Sequence, residues 1–260
     1  MIFGGEFTSG IDLVDIALWA FTLFFFGLVF YLQQEGRREG YPLESDTTGE
    51  IEDSGIFWFA PPKTYKLPHG QPDVVVPHGP RDKRNHNLVR TAAWPGAPVA
   101  PTGDPMHAYV GPGSFAERMD VEDVTSDGRP RIIPMRLNDE YRVAEEDANP
   151  IGMDVIGADG AKGGVVTDLW IDQAEAIFRY FEIETGGAGM SHKVIMPIPF
   201  GTVKKDKGQI LVDAVLGQHF AQAPQTKSPD KVTRLEEDKI SAFYGAGKLY
   251  ATPSRVESLI

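Results

Sequence analysis

The sequence predicts one membrane-spanning helix followed by a mainly-β domain that closes with a single helix. Three observations carry this. Residues 16–32 read IALWAFTLFFFGLVFYL, without a charged side chain. The stretch from 163 to 214 holds several short runs rich in β-branched and aromatic residues, separated by glycine-containing turns. Near the C-terminus, Thr233 and Glu236 stand at capping-box spacing ahead of an apolar-periodic segment.

Extended back to Leu13, the apolar run covers about twenty residues, or roughly 30 Å of helix, which matches the hydrocarbon core of a bilayer. A helix satisfies its own backbone hydrogen bonds in lipid. A cleaved signal peptide needs a basic region before the run, but Glu6, Asp12 and Asp15 precede it. Arg37 and Arg38 follow it, so the positive-inside rule places the C-terminal bulk in the cytoplasm and residues 1–12 on the outer side. Trp19 and Tyr31 lie near the two ends of the helix, where amphipathic rings prefer the headgroup level. With Arg37 and Arg38 they form the expected membrane interface. The central phenylalanines face lipid, neighbouring helices or pigments.

Composition narrows the function classes. The chain has 260 residues, no cysteine and a formal net charge of −12. Disulfides, thiolate metal sites and cysteine nucleophiles are excluded, and so strong an acidity argues against nucleic-acid binding. Twelve of the 20 prolines lie between residues 33 and 112, which forbids long helices and central strands there. Phe57, Trp58, Phe59, Tyr65, Leu67, Val74, Val75, Val76 and Trp94 nevertheless give this segment apolar surface to bury. Residues 33–113 are therefore expected to be extended, lying either on a partner surface beside the membrane or on the chain's own domain. Residues 114–260 form the globular part.

Within that part, strands are expected over 163–172, 176–184, 193–198, 200–205 and 209–214, suggesting a small antiparallel barrel or sandwich. Gly245 and Gly247 are expected to end the final helix. Enzyme signatures are missing: Ser114 is not framed as a nucleophile elbow, and no phosphate-binding loop is present. The six histidines, His69, His78, His86, His107, His192 and His219, show no metal-ligand spacing. One strand is unusual. Alternation places Glu175, Ile177, Arg179, Phe181 and Ile183 on one face, mixing charge with apolar residues. On a straight strand Glu175 and Arg179 stand about 13 Å apart, so each needs another partner. Such a carboxylate is either a proton-handling group or the ordinary end of a strand.

Several strings, in order, resemble the H subunit of the purple-bacterial photosynthetic reaction centre. They are RREGYPL at 37–43, PKTYKLPHG at 62–70, PTGDPM at 101–106, VGP at 110–112, TDLWID at 167–172, RYFE at 179–182 and EEDKISAFYGAGKLYATP at 236–253. The resemblance covers nearly the whole chain. It implies one transmembrane helix at 13–32, an extended segment on partner subunits, and a cytoplasmic PRC-type barrel. It implies a non-catalytic subunit that caps the L and M chains, shields the quinones and helps deliver protons to the secondary quinone. By the same resemblance the chain itself is expected to bind no cofactor. Bacteriochlorophyll, bacteriopheophytin, quinones, a non-haem iron and a carotenoid belong to other subunits, and an antenna ring and a cytochrome subunit are further expected neighbours. By the same resemblance Glu175 matches a buried proton-relay glutamate, Arg179 its neighbouring arginine, and Asp172 an aspartate nearer the surface. Some members carry two histidines in the surface loop that matches 125–129. Here the loop reads TSDGR, which leaves Asp123 and Asp127 as the candidate proton inlet. The alternative reading is a single-pass membrane adaptor or enzyme carrying the same type of barrel without a pigmented partner.

Overall fold

A computed structural model of the chain describes residues 12–51, 53, 55–77, 84, 86–187 and 190–256. The predicted outer segment 1–12 therefore lies outside the described residues except for Asp12, as does His78. The chain divides into two compact units, Met1–Lys83 and Arg84–Ile260.

The first unit is led by helix α1, Leu13–Glu35. Its 23 residues rise about 35 Å, and none of them is buried within the chain. Asp12 caps it, accepting from the N–H groups of Val14 at 2.8 Å and Asp15 at 2.9 Å. Thr22, the polar interruption in the apolar run, donates its hydroxyl to Leu18 O at 2.8 Å, so that hydroxyl is satisfied within the helix. After α1 the chain turns back on the helix end. Phe30 packs its ring against Phe57 and Trp58, with centroids 5.5 and 5.0 Å apart. A short antiparallel ribbon follows, β1 (Lys63–Tyr65) with β2 (Val74–Val76).

The second unit opens with another ribbon, β3 (Leu88–Arg90) paired to β4 (Val99–Pro101). The sequence places the start of the globular part at residue 114, yet Met106, Ala108 and Val110 are already buried in this unit. The main sheet has seven strands. They are β5 (Ile132–Pro134), β6 (Asp154–Ile156), β7 (Lys162–Asp172), β8 (Ile177–Gly187), β9 (Met190–Pro197), β10 (Gly201–Lys204) and β11 (Gln209–Val212). Their order is β10-β11-β6-β7-β8-β9, with β5 added on β7. β7 to β11 fall where the sequence places strands, because β-branched and aromatic residues fit a pleated, buried surface; β5 and β6, of three residues each, are not among the expected strands. Two details differ from a small closed antiparallel barrel. β11 runs parallel to β6, and the end strands β9 and β10 are not hydrogen-bonded to each other, so the sheet stays open.

Helix α2, Arg234–Tyr250, packs on the sheet. Thr233 and Glu236 form the predicted capping box. The predicted stop at Gly245 and Gly247 is wrong, since the helix runs on to Tyr250. The glycines serve packing instead: a Cβ on Gly245 would sit 2.7 Å from Pro112 O, and one on Gly247 would sit 2.5 Å from Ala214 O. Trp170, Phe181, Ile183, Met196, Ile210, Phe220, Ile240 and Tyr244 form the heart of the core.

Candidate functional site

The β7–β8 connection explains the odd strand. Asp172 Oδ1 accepts from the N–H groups of Ala174 at 3.0 Å and Glu175 at 3.2 Å, a side-chain turn that reverses the chain. Ala176 completes the reversal with φ of 53°, a left-handed conformation unusual for a residue with a Cβ. Glu175 therefore lies in the turn and not on β8. It meets Arg179 directly, Nη2 to Oε2 at 3.2 Å, where a straight strand forbids the contact.

Arg131, which the sequence reading missed, ties this turn to the segment before β5. Its guanidinium donates from Nε to Asp172 Oδ2 at 2.9 Å, from Nη2 to Glu175 Oε1 at 2.5 Å and from Nη1 to Asp123 Oδ2 at 3.4 Å. The backbone holds it there: Arg131 N donates to Asp123 O, Gln173 N donates to Arg131 O, and Ile132 pairs with Asp172 across the β5–β7 ladder. Arg179 gives Asp172 two further bonds, from Nε at 3.2 Å and Nη2 at 3.0 Å. Arg234 Nη2 closes the array on Asp123 Oδ1 at 2.6 Å. The only sequence signal for Arg131 is a cation immediately before a short apolar strand.

The two carboxylates differ in burial within this chain alone. Asp172 has a fully buried side chain, whereas Glu175 is 49% exposed. The reason is local. Asp172 is the last residue of β7 and points under the turn, while Glu175 sits on the outside of it. Burial alone pushes the Asp172 carboxyl up, but the Arg131 and Arg179 hydrogen bonds outweigh it and hold the group below the usual range. Asp123 behaves likewise: burial is opposed and exceeded by Arg234 and then Arg131. The hydrogen bond to Asp172 pushes Arg131 further up, so it stays a permanent cation.

Asp127 is not part of the array. It stays in the 125–129 turn, where it accepts from Thr125 Oγ1 and, at 2.6 Å, from Arg129 Nε; these bonds hold its carboxyl low. Trp19 and Tyr31 are exposed on α1. Arg37 and Arg38 are turned back onto the chain and not outward: Arg37 donates to Phe57 O, while Arg38 donates to Glu35, Pro61 O and Val76 O. They join the extended segment to the helix end.

A second charged cluster lines an open concavity of about 400 Å³ together with Met135, Tyr141 and Ile151. Arg136 Nη1 donates to Asp168 at 2.8 Å and to Glu182 at 2.9 Å; Glu182 also accepts from Lys193, Thr167 and Trp170. Every member is internally paired, which fits a structural staple. Among the described residues no group of three or more His, Asp or Glu side chains is arranged to hold a metal ion.

The model of the photosynthetic reaction centre H-chain N-terminal region matches residues 5–137, more than half of the sequence, and the PRC-barrel domain model matches residues 142–219. The chain belongs to the photosynthetic reaction centre H-chain family. The H-chain N-terminal match spans α1, both ribbons and β5, and the PRC-barrel match spans β6 to β11. An uncharacterised protein from Deinococcus radiodurans is 27% identical over 119 residues, 43% of this chain and 43% of that relative. The chain thus spans less than half of that relative's length. An apolar helix with no buried residue, near the N-terminus of such a chain, fits a membrane-anchored protein.

Proposed function

We propose that this chain caps the L and M subunits on the cytoplasmic side, shields the quinones, and passes protons toward the secondary quinone through Asp123, Asp172 and Glu175. The reading rests above all on the three-carboxylate array around Arg131. A quinone that is reduced twice takes up two protons, and bare negative charge is costly in a low-dielectric pocket. Carboxylates linked to solvent at one end and to a buried cavity at the other can relay those protons. Here Asp123, Asp172 and Glu175 are joined through one guanidinium. Glu175 and the neighbouring Ile177, each more than 40% exposed in the chain alone, offer a mixed charged and apolar surface suited to cover by a partner. Ile56, Trp58, Val89 and Trp94 are also largely exposed, consistent with residues 33–113 lying against partner chains. Arginines after the apolar helix and none before it favour an outer N-terminus and a cytoplasmic bulk.

Flash spectroscopy on complexes carrying Glu175→Gln tests the relay. Proton-coupled transfer of the second electron is expected to slow by an order of magnitude or more, within the range removed with a general acid–base group, ~100-fold to ~10,000-fold. Unchanged kinetics would remove the relay while leaving the cap. Protease added to sealed right-side-out cells should spare residues 36–260; digestion there would invert the topology.

A further inference from the structure

Nearly every carboxylate around the Arg131 array is held by a cation. Asp123 is held by Arg131 and Arg234, and Asp172 and Glu175 are each held by Arg131 and Arg179. Further out, Asp120 meets Lys227, Glu122 meets Lys231, and Asp238 meets Arg118. Glu236 gives its oxygens to backbone N–H groups of Lys227 and Thr233, both at 2.9 Å.

Glu237 is different. It sits partly buried in the first turn of α2. Its Oε2 accepts from the neutral phenol of Tyr180 at 2.7 Å. Tyr180 is 5% exposed and stands on β8 next to Arg179. A phenol steadies a carboxylate less than a guanidinium does, and burial favours the protonated acid. Burial is the strongest influence and lifts Glu237 above the ordinary carboxyl range. The Tyr180 hydrogen bond opposes it, the negative charge of Asp123 adds to it, and Arg179 and Arg118 pull the other way. On its own helix the charged residues beside it in sequence are Arg234, Glu236, Asp238 and Lys239.

We propose that Glu237, hydrogen-bonded by Tyr180, is a proton-accepting carboxyl of this chain, the member of the carboxylate group beside the Arg131 array that no guanidinium or ammonium pairs among the described residues. The step is a simple protonation: the carboxylate takes a proton from water, and the acid returns it when the balance of nearby charge changes. The phenol keeps its proton throughout. The proposal builds on the proton-delivery reading above and adds a group to it.

The test uses the intact complex with the full chain. Infrared difference spectra are recorded across a pH titration near neutrality. In the unaltered complex a band is expected in the carboxylic-acid C=O region, sensitive to deuterium exchange. Glu237→Gln should abolish that band and lower the flash-induced proton uptake. Tyr180→Phe should shift the band without removing it, which provides a second readout if Glu237→Gln assembles poorly. Spectra identical in all three would show Glu237 ionised throughout and overturn the proposal. The Glu175→Gln kinetics report separately on the relay: slowed kinetics with unchanged Glu237 spectra would leave the relay standing and sink only this inference.

Discussion

Arg131 and Asp172 are joined by a 2.9 Å hydrogen bond that links the segment before β5 to the end of β7, and the Asp172 side chain has no exposure to solvent. Arg131→Gln should leave that buried carboxylate with Arg179 as its remaining charged partner. A loss of roughly 2 kcal/mol is expected, the scale of a hydrogen bond to a charged group. Arg131→Lys should recover part of it, because lysine restores the charge but not the fork that reaches three carboxylates. Urea unfolding of the detergent-solubilised chain measures both. Equal stability in all three proteins would mean that Arg131 is not the joint described above.

The same array predicts the acid response. Asp172, Asp123 and Glu182 are all held below their ordinary values in the folded chain, burial being exceeded in each by hydrogen bonds and neighbouring cations. A group depressed on folding contributes stability above its unfolded pKa, about 3.9 for Asp and 4.3 for Glu. That stability is lost as pH falls through the lower folded value. Glu237 is raised on folding and has the opposite sign: its contribution is complete at low pH and is lost as pH rises through the unfolded value toward the folded one. Urea midpoints followed downward from neutrality should therefore fall steeply below about pH 4. Glu237→Gln should raise stability at neutral pH relative to the parent and leave the acid limb in place.

Arg136 predicts a further loss. It bridges two nearly buried carboxylates, Asp168 and Glu182, at 7% and 3% exposure, and also binds Asp230 and Pro229 O. Removing one partner from a buried pair strands charge in a poor solvent. Because Arg136 is itself about one-third exposed, the full buried-pair figure is discounted, and Arg136→Met should cost roughly 2 kcal/mol. Lys193 is half exposed, so Lys193→Met should cost less than ~1 kcal/mol. Thermal melts of the two variants should keep that order.

Much of the architecture is written in local pattern. The runs around Leu169 and Ile195 have the β-branched and aromatic character of buried strands, and the capping box at Thr233 and Glu236 marks the start of α2. What the pattern leaves out is set by contacts distant in sequence. Glu175 reaches Arg179 only because Asp172 and Ala176 reverse the chain. The parallel β11–β6 pairing brings residues 209 and 154 together, a choice that no window of sequence encodes. Arg37 and Arg38 directly follow the apolar helix in the sequence, yet their side chains fold back onto Phe57 and Val76, whose positions depend on the whole first unit.

Gly247 reverses a common expectation. Replacing glycine by alanine inside a helix ordinarily stabilises by about 1 kcal/mol. Here the added methyl would stand 2.5 Å from Ala214 O and 2.6 Å from a Val215 methyl carbon, too close for either neighbour to accept without moving. Gly247→Ala should therefore destabilise by about 1–3 kcal/mol. Ser241→Ala, at an exposed position of the same helix, should be neutral or slightly stabilising and serves as the comparison. A stabilised Gly247→Ala protein would show that α2 does not press against the Ala214 segment.

Two tyrosines make opposite predictions from the same substitution. Tyr244 is fully buried among Phe200, Phe220 and Phe243, and its hydroxyl has no hydrogen-bond partner among the described residues. A buried, unsatisfied hydroxyl carries a desolvation penalty that phenylalanine does not. Tyr244→Phe should leave the ring packing intact and raise stability by up to ~1 kcal/mol. Tyr180→Phe removes the donor to Glu237 and should lower stability by about 1 kcal/mol. Parallel urea titrations decide it. If both substitutions cost the same, the Tyr244 hydroxyl is satisfied in solution, and the core around it is wetter than its apolar lining implies.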